Sequence, residues 1–260
     1  MTDVAEVAAD LEAEQSALDD VVSRLPLADW GLPTPSPGWS IADQIGHLTY
    51  FDGAAVLAVT DPEAFEASTA QLDAAGPAAD ERTLHRHLSA PALLGEWRRN
   101  RRRLAAVAAT LSDSARIAWY GPSMGAKSFL TARLMECWAH GQDVVDATGA
   151  DRPATDRLGH IVRLGLLTRG WSYANRGLAV PDEAVRLELT APSGAVWRLG
   201  PNDAPDLVTG PAVDFCLVVT QRRHVDDTGL RVRGRAGRDW LERAQAFAGP
   251  ATDGPRRSKA

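Results

Sequence analysis

The stretch LMECWAHGQDVVDA, Leu134–Ala147, decides how the chain is read. It carries no helix breaker other than Gly141, and with the residues before it the pattern predicts a helix from about Ser128 to Ala147, stopping at Gly149. Two stripes run along that helix. One is Phe129, Arg133, Glu136, His140, Asp143 and Ala147, apolar only at its ends; the other is Leu130, Leu134, Cys137, Trp138 and Val144. Pattern alone does not rank the two faces. Buried without partners, the charged middle of the first stripe would cost several kcal/mol per charge. A bound cation would offset much of that cost. Glu136 and His140 stand four residues apart, one above the other on a helix face, so a carboxylate oxygen and an imidazole nitrogen can reach one ion. A third ligand must come from another helix, and His47 is the candidate. Two histidines and one carboxylate leave a coordination position open, as catalytic zinc sites do. The competing reading of so short a pattern is a surface ion pair or a core histidine.

Working outward, the rest of the first half supplies helices to pack against this one. Val4, Val7, Leu11, Leu18, Val21 and Leu25 recur at helical steps and end before Pro26. After a proline-rich loop, Leu32 to Gly38, Ser40 has the place of an N-cap with Asp43 three residues on, which predicts a second helix to about Val59 containing His47. A third runs from about Pro91 to Leu111 with Trp97, Leu104 and Leu111 seven residues apart. Four such helices pack most economically as an antiparallel bundle. The segments Ala64 to Asp80 and Gly121 to Lys127 read as loops. A connecting helix is expected over Arg157 to Asn175.

Beyond it the period changes. Val185, Leu187 and Leu189 alternate with polar residues, Ser193 and Gly194 make a turn, and Val196 and Leu199 begin the return strand. Gly210 and Pro211 introduce an apolar helix to about Gln221; Leu230 to Val232 is a short strand and Asp239 to Phe247 a closing helix. The expected organisation is therefore a helical unit with connecting helix, 1–178, a small α+β domain, 179–248, and a disordered tail, 249–260, with the boundary near Ala179 to Pro181.

Composition narrows the class. A chain of 260 residues buries roughly 70–75% of its extended surface and holds a core without disulfides. Its two cysteines, Cys137 and Cys216, lie in apolar segments outside any Cys-x-x-Cys pair, which suits a reducing cytoplasm. A formal net charge of −6 argues against nucleic acid as a partner. Neither a signal-peptide pattern at Met1 to Glu14 nor an apolar run of membrane-spanning length is present, so a soluble protein without membrane partners is expected.

The run Pro37, Gly38, Trp39, Ser40, with Asp43 and His47 in the helix that follows, resembles the second-helix signature of DinB-like metal-binding bundles. Glu136, His140 and Asp143, spaced Glu-x-x-x-His-x-x-Asp, resemble the metal helix of mycothiol-dependent maleylpyruvate isomerases and their actinobacterial relatives. The resemblance implies a DinB-like four-helix bundle followed by a small α+β domain of sterol-carrier-like fold. It also implies a divalent ion held by His47, Glu136 and His140, zinc by preference, with nickel, iron and manganese also compatible with these ligands. The co-substrate it implies is mycothiol, a low-molecular-weight thiol, acting on a small electrophile by isomerisation or S-transfer. A hydrolase using metal-activated water, or a metal-binding protein without catalysis, is the alternative.

The same resemblance gives Asp143 the family's acidic position, to take the thiol proton or orient a ligand; the bland reading is a hydrogen bond that fixes an imidazole. Arg222 stands where the family carries a functional arginine, and adjacent Arg223 leaves the register open. From position alone, Arg133 lies one turn before Glu136 and would hold a substrate carboxylate, or else pair with a neighbouring helix. In the run Arg98 to Arg103, Asn100 or Arg101 falls on the inward stripe with Trp97 and Leu104, and Arg101 is a candidate cofactor contact. DinB-like bundles often pair, so a homodimer is expected.

Overall fold

A computed structural model describes residues 3–75 and 84–258 of the chain. They fall into two compact units, Met1–Arg152 and Pro153–Ala260. The first is helical. Its elements are α1 (Val4–Val22), α2 (Ile41–Thr60), α3 (Pro62–Ala75), α4 (Ala90–Ala108), the strands β1 (Arg116–Trp119) and β2 (Gly121–Gly125), and α5 (Ala126–Thr148).

The caps read from the sequence start and stop these helices. Ser40 accepts from the Asp43 backbone N–H at 3.2 Å while the Asp43 carboxylate accepts from the Ser40 N–H at 2.9 Å, a complete capping box at the head of α2. Gly149 closes α5 in the left-handed conformation at φ 67°, where an L side chain would be strained. Leu18, Val21 and Val22 near the end of α1 share one apolar cluster with Ile41 and Ile45 at the start of α2, Leu93 and Trp97 early in α4, and Val144 late in α5. These ends therefore lie together, and α1, α2, α4 and α5 run up, down, down, up. Antiparallel contacts join α1 to α4 and α2 to α5. The parallel course of α2 and α4 requires the chain to cross back between them.

α3 makes part of that crossing, in a segment expected to be a loop; positions 76–80 of that expectation lie outside the described residues. Phe65 of α3 is buried and stacks on Trp119 of β1 at 5.5 Å with the rings 4° apart. β1 and β2 form an antiparallel hairpin where the segment Gly121 to Lys127 was also expected to be a loop.

The second unit contains α6 (Leu158–Leu167), α7 (Arg169–Ala174), β3 (Val185–Thr190), β4 (Val196–Leu199), β5 (Asp206–Pro211), α8 (Ala212–Val219), β6 (Arg231–Arg233) and α9 (Arg235–Arg243). The sheet order is β4-β3-β5-β6, with β3 and β4 antiparallel and β3 and β5 parallel. Three expectations are corrected here. The connecting helix is two helices, broken at Thr168, whose hydroxyl bonds back to the Leu164 carbonyl at 2.9 Å. Those helices belong to the second unit, because Gly165 of α6 leaves room for Phe215 and Val219 of α8, so the division falls after Arg152 and not near Ala179. Finally, the segment from Gly249 to Ser258 is tied down. Gln245 donates to the Pro250 carbonyl and Gln221 to that of Thr252, while Ser258 donates its N–H to Asp227.

Candidate metal centre

α2 presents Gln44, His47 and Phe51 on one face, and α5 presents Arg133, Glu136, His140 and Asp143 on the face opposite. Because the two helices run antiparallel, Gln44 meets His140, His47 meets Glu136, and Phe51 meets Arg133. The ambiguity between the stripes of α5 resolves in an unexpected way. Arg133, His140 and Asp143 are buried, and so are Leu130, Leu134, Cys137, Trp138 and Val144: the helix is enclosed on both sides.

His47, Glu136 and His140 converge, their ligand atoms all within 4.8 Å of one another, the one such set found among the described residues. Nε2 of His140 lies 3.0 Å from Oε2 of Glu136, and Nε2 of His47 lies 3.4 Å from the same oxygen. Donor atoms around a tetrahedral zinc ion with bonds of about 2.0–2.2 Å sit roughly 3.3–3.6 Å apart, within a few tenths of an ångström of these two gaps, so the spacing fits a divalent ion. The chemistry fits as well. Nδ1 of His140 faces the side-chain oxygen of Gln44 at 2.5 Å, which leaves Nε2 as the nitrogen facing the carboxylate. Burial alone would raise the Glu136 carboxyl, but hydrogen bonds from His140 and His47 and the charge of Arg133 more than offset it and hold the group well below the usual carboxylate range. A charged carboxylate between two imidazoles is the form a cation requires.

Aromatic rings wall the trio. The Trp39 indole stacks on the His140 ring at 5.5 Å and lies 5.4 Å from that of His47, which in turn contacts Phe51 at 4.6 Å. Asp143 is buried and accepts a hydrogen bond from the Ser36 hydroxyl at 3.0 Å, while the imidazole of His140 is engaged by Gln44. Gln44 was missed in the sequence. Its one signal was its place three residues before His47, on the same helix face.

Arg133 has its guanidinium 5.3 Å from the Phe51 ring centre and 5.0 Å from that of Trp119, with Nε and Nη1 buried and without hydrogen-bond acceptors. Its charge acts on Glu136 and Asp52. Arg101, expected as a cofactor contact, has no described contact with the trio; it pairs with Asp19, which also takes Arg98, and lies 5.1 Å over Trp97. The inward residue is Asn100, which donates to the Thr49 carbonyl at 2.9 Å. Arg222 lies in the second unit just beyond α8, where it donates to the Thr220 carbonyl at 2.7 Å, and Arg223 donates to the carbonyl of Arg222.

A helical bundle whose facing helices bring two histidines and a glutamate together defines a class of candidate metal-binding protein. The chain belongs to the DinB-like family described as mycothiol maleylpyruvate isomerase N-terminal domain, whose model matches residues 11–145 and so spans the whole trio. Two uncharacterized proteins from strains of Mycobacterium tuberculosis are each 46% identical over 252 residues, covering 96% of this chain and 98% of theirs. In overall fold the chain is similar to crystal structures of a mycothiol-dependent maleylpyruvate isomerase and of its histidine-to-alanine mutant, with TM-scores of 0.57 and 0.59 and sequence identities of 19% and 20%. Each alignment covers 98% of this chain and 100% of the other. Among the described residues, no helix is long and apolar enough to cross a membrane.

Proposed function

We propose that the protein is a divalent-metal-dependent enzyme that activates a low-molecular-weight thiol, mycothiol, for addition to a small electrophile, with isomerisation or S-transfer as the outcome. The observation that carries this reading is the convergence of the His47 and His140 Nε2 atoms on one carboxylate oxygen of Glu136, in a chain of this family. Zinc, when bound by those three residues, would supply an open position at which a thiol loses its proton readily.

The protein's own cysteines are poor nucleophiles. Cys137 and Cys216 are buried, and burial pushes both thiols well above their ordinary value, so the reacting sulfur is taken to come from a co-substrate. Asp143 takes the thiol proton, held in place by Ser36. Arg133, charged and sandwiched between Phe51 and Trp119, holds an anionic group of the electrophile. Trp39 and Phe51 keep water from the reacting sulfur. The thiolate adds to one carbon of a conjugated C=C bond, which becomes a single bond with the electron pair passed to the conjugated carbonyl; the adduct then takes back the proton held by Asp143 and is released as product, or rotates about the former double bond and expels the thiolate to give the isomer. The setting is cytoplasmic, with small molecules as partners, neither nucleic acid nor membrane, and a homodimer as the assembly.

The test is consumption of maleylpyruvate and related electrophiles by the zinc-loaded protein with and without mycothiol. Turnover is expected only with the thiol, and Asp143→Asn is expected to lower it by about 100-fold or more, in line with loss of a general base. Equal turnover without thiol would replace this reading with a hydrolase.

A further inference from the structure

The loop before α2 is joined to the metal helix by a directed chain of hydrogen bonds. The Thr34 hydroxyl donates to the Trp39 carbonyl at 2.9 Å, the Gln44 amide nitrogen donates to the Thr34 oxygen at 2.9 Å, and the Gln44 amide oxygen meets Nδ1 of His140 at 2.5 Å. Each link fixes the direction of the next. A carbonyl only accepts, so the single Thr34 proton points at Trp39, and the Thr34 oxygen can then only accept from Gln44. That places the Gln44 NH2 toward Thr34 and its oxygen toward His140. An amide oxygen cannot donate, so Nδ1 of His140 must carry a proton.

The turn that anchors the chain is itself closed. Thr34 donates its N–H to Trp39 at 2.8 Å, Ile41 donates to Leu32 at 3.1 Å, and Pro33 pairs with Ser40. Gln44 is fully buried, so a flipped amide would find no water to repair the mismatch with Nδ1. Trp39 serves twice: its carbonyl ends the chain and its indole covers the His140 ring.

We infer that Gln44, held by Thr34 and the Trp39 carbonyl, is a positioning residue that keeps a proton on Nδ1 of His140, so that Nε2, which donates to Glu136 in the metal-free protein, is the nitrogen that exchanges its proton for a divalent cation. Its neutrality matters. A carboxylate at this place would draw on the Nδ1 proton and strengthen His140 as a donor, whereas an amide leaves a divalent ion with Glu136 at a net charge of +1. A centre of that charge favours an anion in its open position. This last consequence rests on the proposed thiolate chemistry; the assignment of the tautomer does not.

Two readouts on the full chain test it. Long-range proton–nitrogen NMR of histidine-labelled protein should find Nδ1 of His140 protonated both with zinc and without it; a bare Nδ1 would overturn the assignment. Zinc affinity, measured by competition with a chromophoric chelator, should fall about 10–100-fold in Gln44→Ala. In Gln44→Glu, which still accepts from Nδ1–H, it should stay at or above the wild-type value. Thr34→Val, which frees the amide to turn, should weaken zinc binding while the metal-free protein melts as the wild type does. Wild-type affinity in both Gln44→Ala and Thr34→Val would refute the role. If the wild type itself binds no zinc, the metal-enzyme reading fails, and the Nδ1 signal of the metal-free protein still decides the relay.

Discussion

Glu136→Ala protein, purified alongside the wild type and analysed for elements, is expected to carry less than one-tenth of the divalent metal found in the wild type. The carboxylate is the common point of the site: both histidine Nε2 atoms approach its Oε2, at 3.0 and 3.4 Å. Without it, two neutral imidazoles remain, 4.2 Å between ring centres, with no negative charge to balance the ion in a largely buried setting. Glu136→Ala also leaves Arg133 without one of its two nearby carboxylates, so unfolding by urea should be followed in parallel to separate lost metal from lost fold. Metal content equal to the wild type in a folded variant would remove Glu136 from the site.

The second large effect concerns Asp52, which no sequence motif marks. It is buried on α2 and accepts from Gln15 at 2.9 Å and from the Trp97 indole at 3.1 Å, both on one oxygen. Burial pushes its carboxyl from the ordinary 3.8 up to about 6, and the opposing charge of Arg133, the Trp97 hydrogen bond and the charges of Arg101 and His47 do not offset it. Between these two values the folded protein holds a proton that the unfolded chain has released. Stability attributable to Asp52 therefore falls as pH rises through that window, and the loss is complete above about pH 6. At about 1.4 kcal/mol per pKa unit the full cost is about 3 kcal/mol. Asp52→Asn keeps an oxygen for Gln15 and Trp97 and removes the titration. In urea unfolding with a metal chelator present, the variant should gain about 2 kcal/mol on the wild type between pH 4 and pH 7, the rest of the change lying below pH 4. A difference that stays constant with pH would show that Asp52 does not titrate in this range.

Much of the helical unit was legible because its signals are local. Ser40 and Asp43 cap one helix, Gly149 ends another, and the spacing of Glu136 and His140 follows from helical geometry. The ligand trio needed more than spacing, because nothing local relates His47 to a helix some ninety residues away; the family pattern made that link. What stayed hidden depends on tertiary partners. The segment that forms α3 buries Phe65 against Trp119, a partner the sequence does not announce. β5 is short and ends in Gly210 and Pro211, yet it pairs in parallel with β3 along its whole length. Arg98 and Arg101 of the basic run on α4 are both drawn by Asp19 on α1, while Asn100 is the residue turned inward. The polar C-terminal segment looked unanchored because its ties are to the side chains of Gln221, Gln245 and Asp227, not to apolar contacts of its own.

Calorimetric titration of mycothiol into zinc-loaded and metal-free protein tests the central claim most directly. Binding of about one thiol per chain to the zinc-loaded form, with none to the metal-free form, is the result this account predicts. Equal binding to both forms, or none to either, would contradict thiol activation at His47, Glu136 and His140.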